Sequence, residues 1–287
     1  MEPLVAGMVL ASAVIHPVWY AVVKRDVDPD GAYIAVAGGI ALTALVHALI
    51  EDVDLIAALA AWPLLLLSTA AQFGYGLAVV SVLKRGDLSA YYPIIRSSPL
   101  AIVLIGVVIL GEWYSPSLLI GIALVLIGAF ALQYRRGARL LSEPVNFALA
   151  GAAMFASAIY AVSDGLLVRQ IDPAAILFWC QALVTPPLAI LFKRSHAEWR
   201  FGLPLATWRR TPLRYAMLGP MAYLSYLLIL AAYRLGANVA AVNSVRQAAI
   251  PISVFIGGVW LAEAAMWRRL VAAAVLAIGV VVIVLSK

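Results

Sequence analysis

Cysteine is almost absent: Cys180 is the only one in 287 residues. One thiol cannot close an intramolecular disulfide or build a cysteine-based metal site. Histidine is nearly as scarce, and His16, His47 and His196 lie far apart in the chain. The sequence holds no HExxH pair, no paired intramembrane acids, no nucleophile elbow and no GxxxxGK loop followed by Ser or Thr. These absences argue against a membrane-embedded enzyme and against direct ATP coupling by this chain. No cofactor is expected. Charge is sparse too: 12% of residues are charged, against roughly 25% in soluble domains.

What the chain has instead is apolar length. It is 65% hydrophobic, with a mean hydropathy of +1.01. The apolar runs have no polar face, so lipid is their expected solvent. The first run starts almost at Met1 and ends at Lys24, Arg25 and Asp26, with no small-residue cleavage site, so it reads as a retained helix. About 20 residues cross the hydrocarbon core. That ruler predicts ten helices, at 3–23, 31–50, 60–83, 88–110, 118–134, 146–168, 173–192, 213–233, 238–261 and 269–286.

The gaps after the odd-numbered helices, with the first turn of the helix that follows, hold 15 Lys and Arg, from Lys24 and Arg25 through Arg135 and Arg136 to Arg268 and Arg269. The opposite side holds only Arg169, Arg234 and Lys287. The positive-inside rule puts the basic side in the cytoplasm and both termini outside, in a cell (inner) membrane. The same anchoring explains a pI near 9.5 without a nucleic-acid partner. Loop 193–212, with Trp199 and Trp208, is expected to lie at the cytoplasmic interface.

Two stretches look like one segment written twice. YYPIIRSSPLAIVLIGVVILGE (91–112) and AVNSVRQAAIPISVFIGGVWLAE (241–263) share an arginine, then a proline, then an apolar run ending in glutamate. The matched residues are Arg96 and Arg246, Pro99 and Pro251, Glu112 and Glu263. Residues 11–29 likewise resemble 156–173, and 72–96 resemble 223–246, which sets Gln72 on Tyr223 and Tyr75 on Tyr226. The predicted fold is therefore all-α and polytopic: ten transmembrane helices in two five-helix repeats, 1–140 and 141–287. Five is odd, so the second repeat is inverted, and a site is expected near mid-membrane between the repeats.

Polar side chains mark that site, because lipid-facing polar groups are costly. The first helix carries Ser12, His16, Trp19 and Tyr20, and the third Ser68, Gln72 and Tyr75. The fourth has Tyr92, Arg96, Ser97 and Ser98; the sixth has Ser157, Tyr160 and Asp164. Tyr223 and Tyr226 lie on the eighth, and Asn243, Arg246 and Gln247 on the ninth. These six helices are expected to line a central cavity. Thr43, His47, Trp179, Gln181 and Thr185 contribute less. The fifth and tenth helices are essentially apolar and should stand outside as scaffold or oligomer contacts. An arginine at the bilayer centre costs about 2.5–3.5 kcal/mol on insertion scales.

One carboxylate, Asp164, cannot neutralise both Arg96 and Arg246. A net positive cavity favours a small-molecule substrate that is anionic or zwitterionic. Alternatively, an arginine ties down carbonyls freed by Pro99 or Pro251. Asp164 either pairs with an arginine or carries a coupling proton, and His16 is either a proton carrier or a hydrogen-bonded packing residue. Pro93, Pro99, Pro220 and Pro251 permit local breaks or bends, and Gly111, Gly121 and Gly128 permit close helix contact.

On these residues the chain resembles the drug/metabolite transporter superfamily, in its ten-helix EamA-like branch. The likeness rests on two five-helix repeats, each with a Pro-containing fourth helix that ends in glutamate (LGE at 110–112, LAE at 261–263) before an apolar fifth helix. Ala262 stands where the first copy has Gly111. The resemblance implies a basket of helices around a cavity and transport by alternating access. It further implies export of an amino acid or another metabolite, as in the YddG type. Relatives of that type are drawn with cytoplasmic termini, opposite to the charge count here. A lipid-carrier flippase of the same superfamily is the alternative reading.

Overall fold

The computed structural model describes residues 1–24, 26, 29–85, 88–133, 143–195, 211–251 and 266–286. No strand occurs among them. The helices are α1 (Pro3–Lys24), α2 (Pro29–Ile50), α3 (Trp62–Arg85), α4 (Leu88–Ile95) and α5 (Ser98–Val108). They continue with α6 (Pro116–Gln133), α7 (Pro144–Leu167), α8 (Pro173–Ser195), α9 (Pro212–Arg234), α10 (Val239–Val245) and α11 (Met266–Leu285). Six begin on proline: α1, α2, α6, α7, α8 and α9. The ring presets a helical φ, and the missing N–H is one that a first turn leaves unbonded in any case.

Six of the described helices are long and apolar enough to cross a membrane, and three shorter apolar ones run Pro93–Val108, Pro116–Leu132 and Leu270–Leu285. The chain is a polytopic, all-helical membrane protein. Two predicted spans differ from expectation in one respect. The 88–110 span is two helices, with a turn at Arg96 and Ser97. The 238–261 span changes to a 3-10 turn at Arg246–Ala248 before helix resumes at 249–251. Its remainder, with Glu263, lies outside the described residues, as do Trp199, Trp208 and His196.

Helices separated by half the chain pack together. α3 lies on α7, α1 on α9, α2 on both α8 and α9, and α5 on α7 and α10. Ser12 and Ser225, both fully buried, join α1 to α9 reciprocally. Ser12 Oγ donates to the Ser225 carbonyl at 2.7 Å, and Ser225 Oγ to the Ser12 carbonyl at 3.3 Å.

α6 and α11 pack chiefly on each other, antiparallel and backbone to backbone. A Cβ on Gly128 would lie 2.6 Å from the Leu276 nitrogen and 2.8 Å from the Ala272 oxygen. A Cβ on Gly279 would lie 2.6 Å from the Val125 nitrogen and 2.8 Å from the Gly121 oxygen. Gly121 and Gly128 are thus contact glycines. Gly111 is not: its φ is +66°, and it turns the chain after α5.

The ion pairs follow the predicted sidedness of the loops. Asp26, after α1, meets Arg214 at the start of α9 at 3.3 Å and accepts from Tyr215 at 2.6 Å. Asp172, after α7, meets Arg234 at the end of α9 at 2.5 Å. α9 is therefore clamped at both ends. The Met1 amine donates to the Val284 carbonyl at 2.7 Å, so residue 1 and the end of α11 share one face.

Candidate substrate site at two helix breaks

Proline explains both breaks. Pro99 has no N–H to return to Ile95, and Pro251 has none for Gln247. At the first break the repair is local: Ser97 Oγ donates to the Pro93 carbonyl at 2.8 Å, and Ser97 N–H to Ile94 at 3.0 Å. At the second, Ser244 Oγ donates to Ala240 at 2.7 Å, and Asn243 Nδ2 donates to Val239 at 3.0 Å and to Tyr233 Oη at 2.6 Å. One bond crosses between the breaks: Gln247 Nε2 donates to the Arg96 carbonyl at 2.9 Å.

Around the second break the structure gathers four of the expected site residues. Arg246 Nη2 lies 3.3 Å from His16 Nδ1, and its guanidinium sits 5.2 Å above the Tyr226 ring. Guanidinium only donates, so His16 Nδ1 accepts and the ring is neutral, with its proton on Nε2. His16 also meets Trp19 edge to face at 5.0 Å and Tyr226 at 5.9 Å. Trp19 is buried, whereas His16, Tyr226, Arg96 and Arg246 are half-buried. Both arginines lie within electrostatic reach of His16 and Tyr226.

A second cluster lies on α3, α7 and α8. Asp164 accepts from Ser68 Oγ at 2.6 Å, Ser68 accepts from Gln72 at 3.1 Å, and Gln181 donates to Gln72 at 3.2 Å. Asp164 forms no ion pair with Arg96 or Arg246 among the described residues. Its carboxylate is met by a hydroxyl one helix away. Tyr75 and Tyr160 meet edge to face at 6.2 Å, and Ser157 donates to Tyr160 at 3.3 Å. Tyr223 stands apart, hydrogen-bonded to His47 of α2. The side chains of Tyr20 and Tyr92 lie outside the described residues.

Sequence reasoning missed Tyr233. It is buried and bonded to Asn243, although a tyrosine just before Arg234 reads as an interfacial anchor. His47 and Gln181, ranked as minor, hold Tyr223 and Gln72.

On the face where α5 and α7 end, the LGE glutamate folds back. Glu112 N–H donates to the Gly106 carbonyl at 2.8 Å, and Tyr114 Oη donates to Glu112 Oε2 at 2.6 Å. A Cβ on Gly106 would collide with Tyr114 Oη. Burial, then the hydrogen bond to Glu112, raises the Tyr114 phenol above its ordinary range. Beside it Gly165 and Val239 close α7 against α10.

Residues 4–134, which hold α2 through α6 and all but the first residue of α1, match the EamA-like transporter family. That likeness covers a little under half of the chain. Members of that family are membrane transporters rather than enzymes, and the first part of this chain resembles them. The likeness to solved structures extends over both halves. A solved crystal structure, described only as that of a protein, matches 98% of this chain and 96% of its own length. Its TM-score is 0.77 at 18% identity, a likeness of fold. No curated protein matches the sequence. The first break lies inside the segment that matches the family, and the second lies beyond it.

Proposed function

We propose that this EamA-like chain is a secondary transporter that exports a small metabolite bearing a carboxylate, an amino acid or an organic anion, by alternating access. The site lies at the two breaks, with Arg96 and Arg246 supplying positive charge. The observation that carries this reading is the bond from Gln247 to the Arg96 carbonyl. It ties together two interruptions at arginines that the sequence repeat already matches. Broken helices at a repeat interface leave polar backbone where a cavity can be wetted or a substrate coordinated.

In this reading 1–140 and 141–287 are inverted repeats. The antiparallel α6–α11 crossing supports it: Gly128 against Ala272 and Leu276 repeats the contact of Gly279 against Gly121 and Val125, with the same nearest distances. So does the pairing of α1 with α9 and α3 with α7, which the repeat exchanges. Both termini face outward, as the loop charge implies. Proton coupling enters at His16, because a protonated ring can no longer accept from Arg246.

Counterflow into vesicles reconstituted with the purified chain tests this reading. Internal mixed amino acids and organic acids should drive uptake of at least one labelled carboxylate-bearing solute. Uptake no faster than in empty vesicles for every such solute would overturn it.

A further inference from the structure

On the face where α5 and α7 end, two short helices are hinged at both ends. α5 (Ser98–Val108) lies between the turn at Arg96 and Ser97 and Gly111, whose φ is +66°. α10 (Val239–Val245) lies between Gly236, whose φ is +86°, and the 3-10 turn at Arg246–Ala248. Glycine holds such a φ without steric cost. A backbone ladder interrupted at both ends leaves the helix between to move as one rod. The two rods touch each other, and both touch α7.

Tyr114 joins them. Its hydroxyl donates to Glu112 Oε2 at 2.6 Å, and Glu112 is itself pinned to α5 by its N–H on the Gly106 carbonyl. From the other side Asn238, the N-cap of α10, offers its side chain to the same hydroxyl. The Asn238 oxygen already accepts from the Ala241 N–H at 3.1 Å, so its amide nitrogen is the donor toward Tyr114. The hydroxyl lies directly over Gly106, in the space that any Cβ there would need. Behind it the seam narrows to a cavity of about 20 Å³, lined by Ile102, Gly106, Glu112, Tyr114, Gly165 and Val239. That is room for about one water and not for a metabolite. Ile102, one turn deeper than Gly106 toward the first break, is only 1% exposed.

We propose that α5 and α10 are the two leaves of a gate on this face, and that Tyr114 is the latch that holds them shut. With the hydroxyl released, the leaves part about their glycine hinges and open a path along Ile102 to the breaks. Opening and closing of this kind is what alternating access demands of a transporter, and the inference rests on that part of the proposed function. It makes no commitment about the cargo.

Thiol labelling of the full chain, purified in detergent, tests the latch without a substrate. Ile102→Cys in a Cys180→Ser background places the lone thiol in the seam, where a charged maleimide reaches it only when the leaves part. Tyr114→Phe keeps the ring and removes the hydroxyl. Losing one hydrogen bond to a carboxylate shifts an equilibrium about tenfold or more, so labelling of the seam thiol should speed up by about that factor. Gly106→Ala keeps both latch residues but fills the seat of the hydroxyl, and it should speed labelling as well. Cys180, 1% exposed on α8, is the control in chains that retain it and lack Ile102→Cys. Its labelling should not change in either variant. Unchanged labelling of the seam thiol in Tyr114→Phe or in Gly106→Ala overturns the latch. So does an equal rise at Cys180, because the variants would then loosen the whole fold. Either failure leaves the transporter reading to be decided by counterflow with the wild-type chain. Absence of counterflow from a chain whose seam opens as expected removes the transport reading and leaves the hinged motion standing.

Discussion

The α6–α11 crossing and the two helix breaks are opposite uses of the same apolar bundle. At the crossing the helices are continuous, and the backbones approach until only glycine fits at Gly128 and Gly279. At the breaks the backbone ladder is interrupted, and Ser97, Asn243, Ser244 and Gln247 take over its hydrogen bonds. The first region has no room for an added atom. The second has two buried polar atoms without a hydrogen-bond partner among the described residues, Arg246 Nε and Gln247 Oε1. Added volume should therefore damage the crossing, and removed polarity should damage the breaks, with little exchange between the two effects.

The largest expected effect lies at the crossing. Gly128→Leu or Gly279→Leu forces a side chain onto backbone atoms that cannot swing aside. Overpacking of this kind costs about 1–3 kcal/mol or more. Thermal unfolding in detergent should shift down by several degrees, while the protein that remains folded keeps its ligand affinity. A stable Leu variant would show that the helices part easily there.

Next come the arginines. A charge-assisted hydrogen bond contributes roughly 1.5–3 kcal/mol, so Arg96→Gln or Arg246→Gln should weaken carboxylate binding about 10- to 150-fold. Insertion and thermal stability should change little. Lysine should rescue only in part, since it lacks the planar fork. Wild-type affinity in both glutamine variants would make these residues structural props.

A smaller effect separates the site from its neighbour. Asp164 is held by Ser68 and not by an arginine. Asp164→Asn and Arg246→Gln should therefore add in stability to within about 0.3–0.5 kcal/mol. A larger coupling energy, measured by thermal or denaturant unfolding of the double-mutant cycle, would restore the ion pair that charge counting suggested.

The smallest effect concerns Tyr114. Its folded pKa is raised, so the unfolded phenol, near 10, ionises first. The stability it contributes is complete below about pH 10 and is lost as pH climbs from there toward the folded value. Melting temperatures between pH 8 and 11 should fall at the alkaline end in wild type, and fall less in Tyr114→Phe.

The helices were legible because apolar length, a leading proline and a charged gap each leave a mark in sequence. The sidedness of Asp26 with Arg214 and of Asp172 with Arg234 followed from the same count of loops. Breaks or bends were expected at Pro93, Pro99, Pro220 and Pro251, but which of the four would interrupt a helix was not legible. An apolar run that contains Pro99 or Pro251 has the same composition whether the helix bends or stops. Asp164 was assigned by charge, yet its partner was decided by which helix lies beside α7, and that is α3 with Ser68. Tyr233 and Gly279 escaped for a related reason: each acquires meaning only from a residue on another helix. The gathering of His16, Trp19, Tyr226 and Arg246 shows the converse, since a polar stripe on an apolar helix has few other places to go.

The pairing of α6 with α11 also has a consequence in time. The 132 residues between Gln133 and Met266 must be made before α6 can meet its partner. At about 5–20 residues per second that takes roughly 7–26 s of synthesis. Throughout that interval the glycine groove of α6 has no matching helix from its own chain, and lipid or a chaperone must occupy it. A ribosome that stops short of α11 therefore leaves the first half with an unclosed seam at α6.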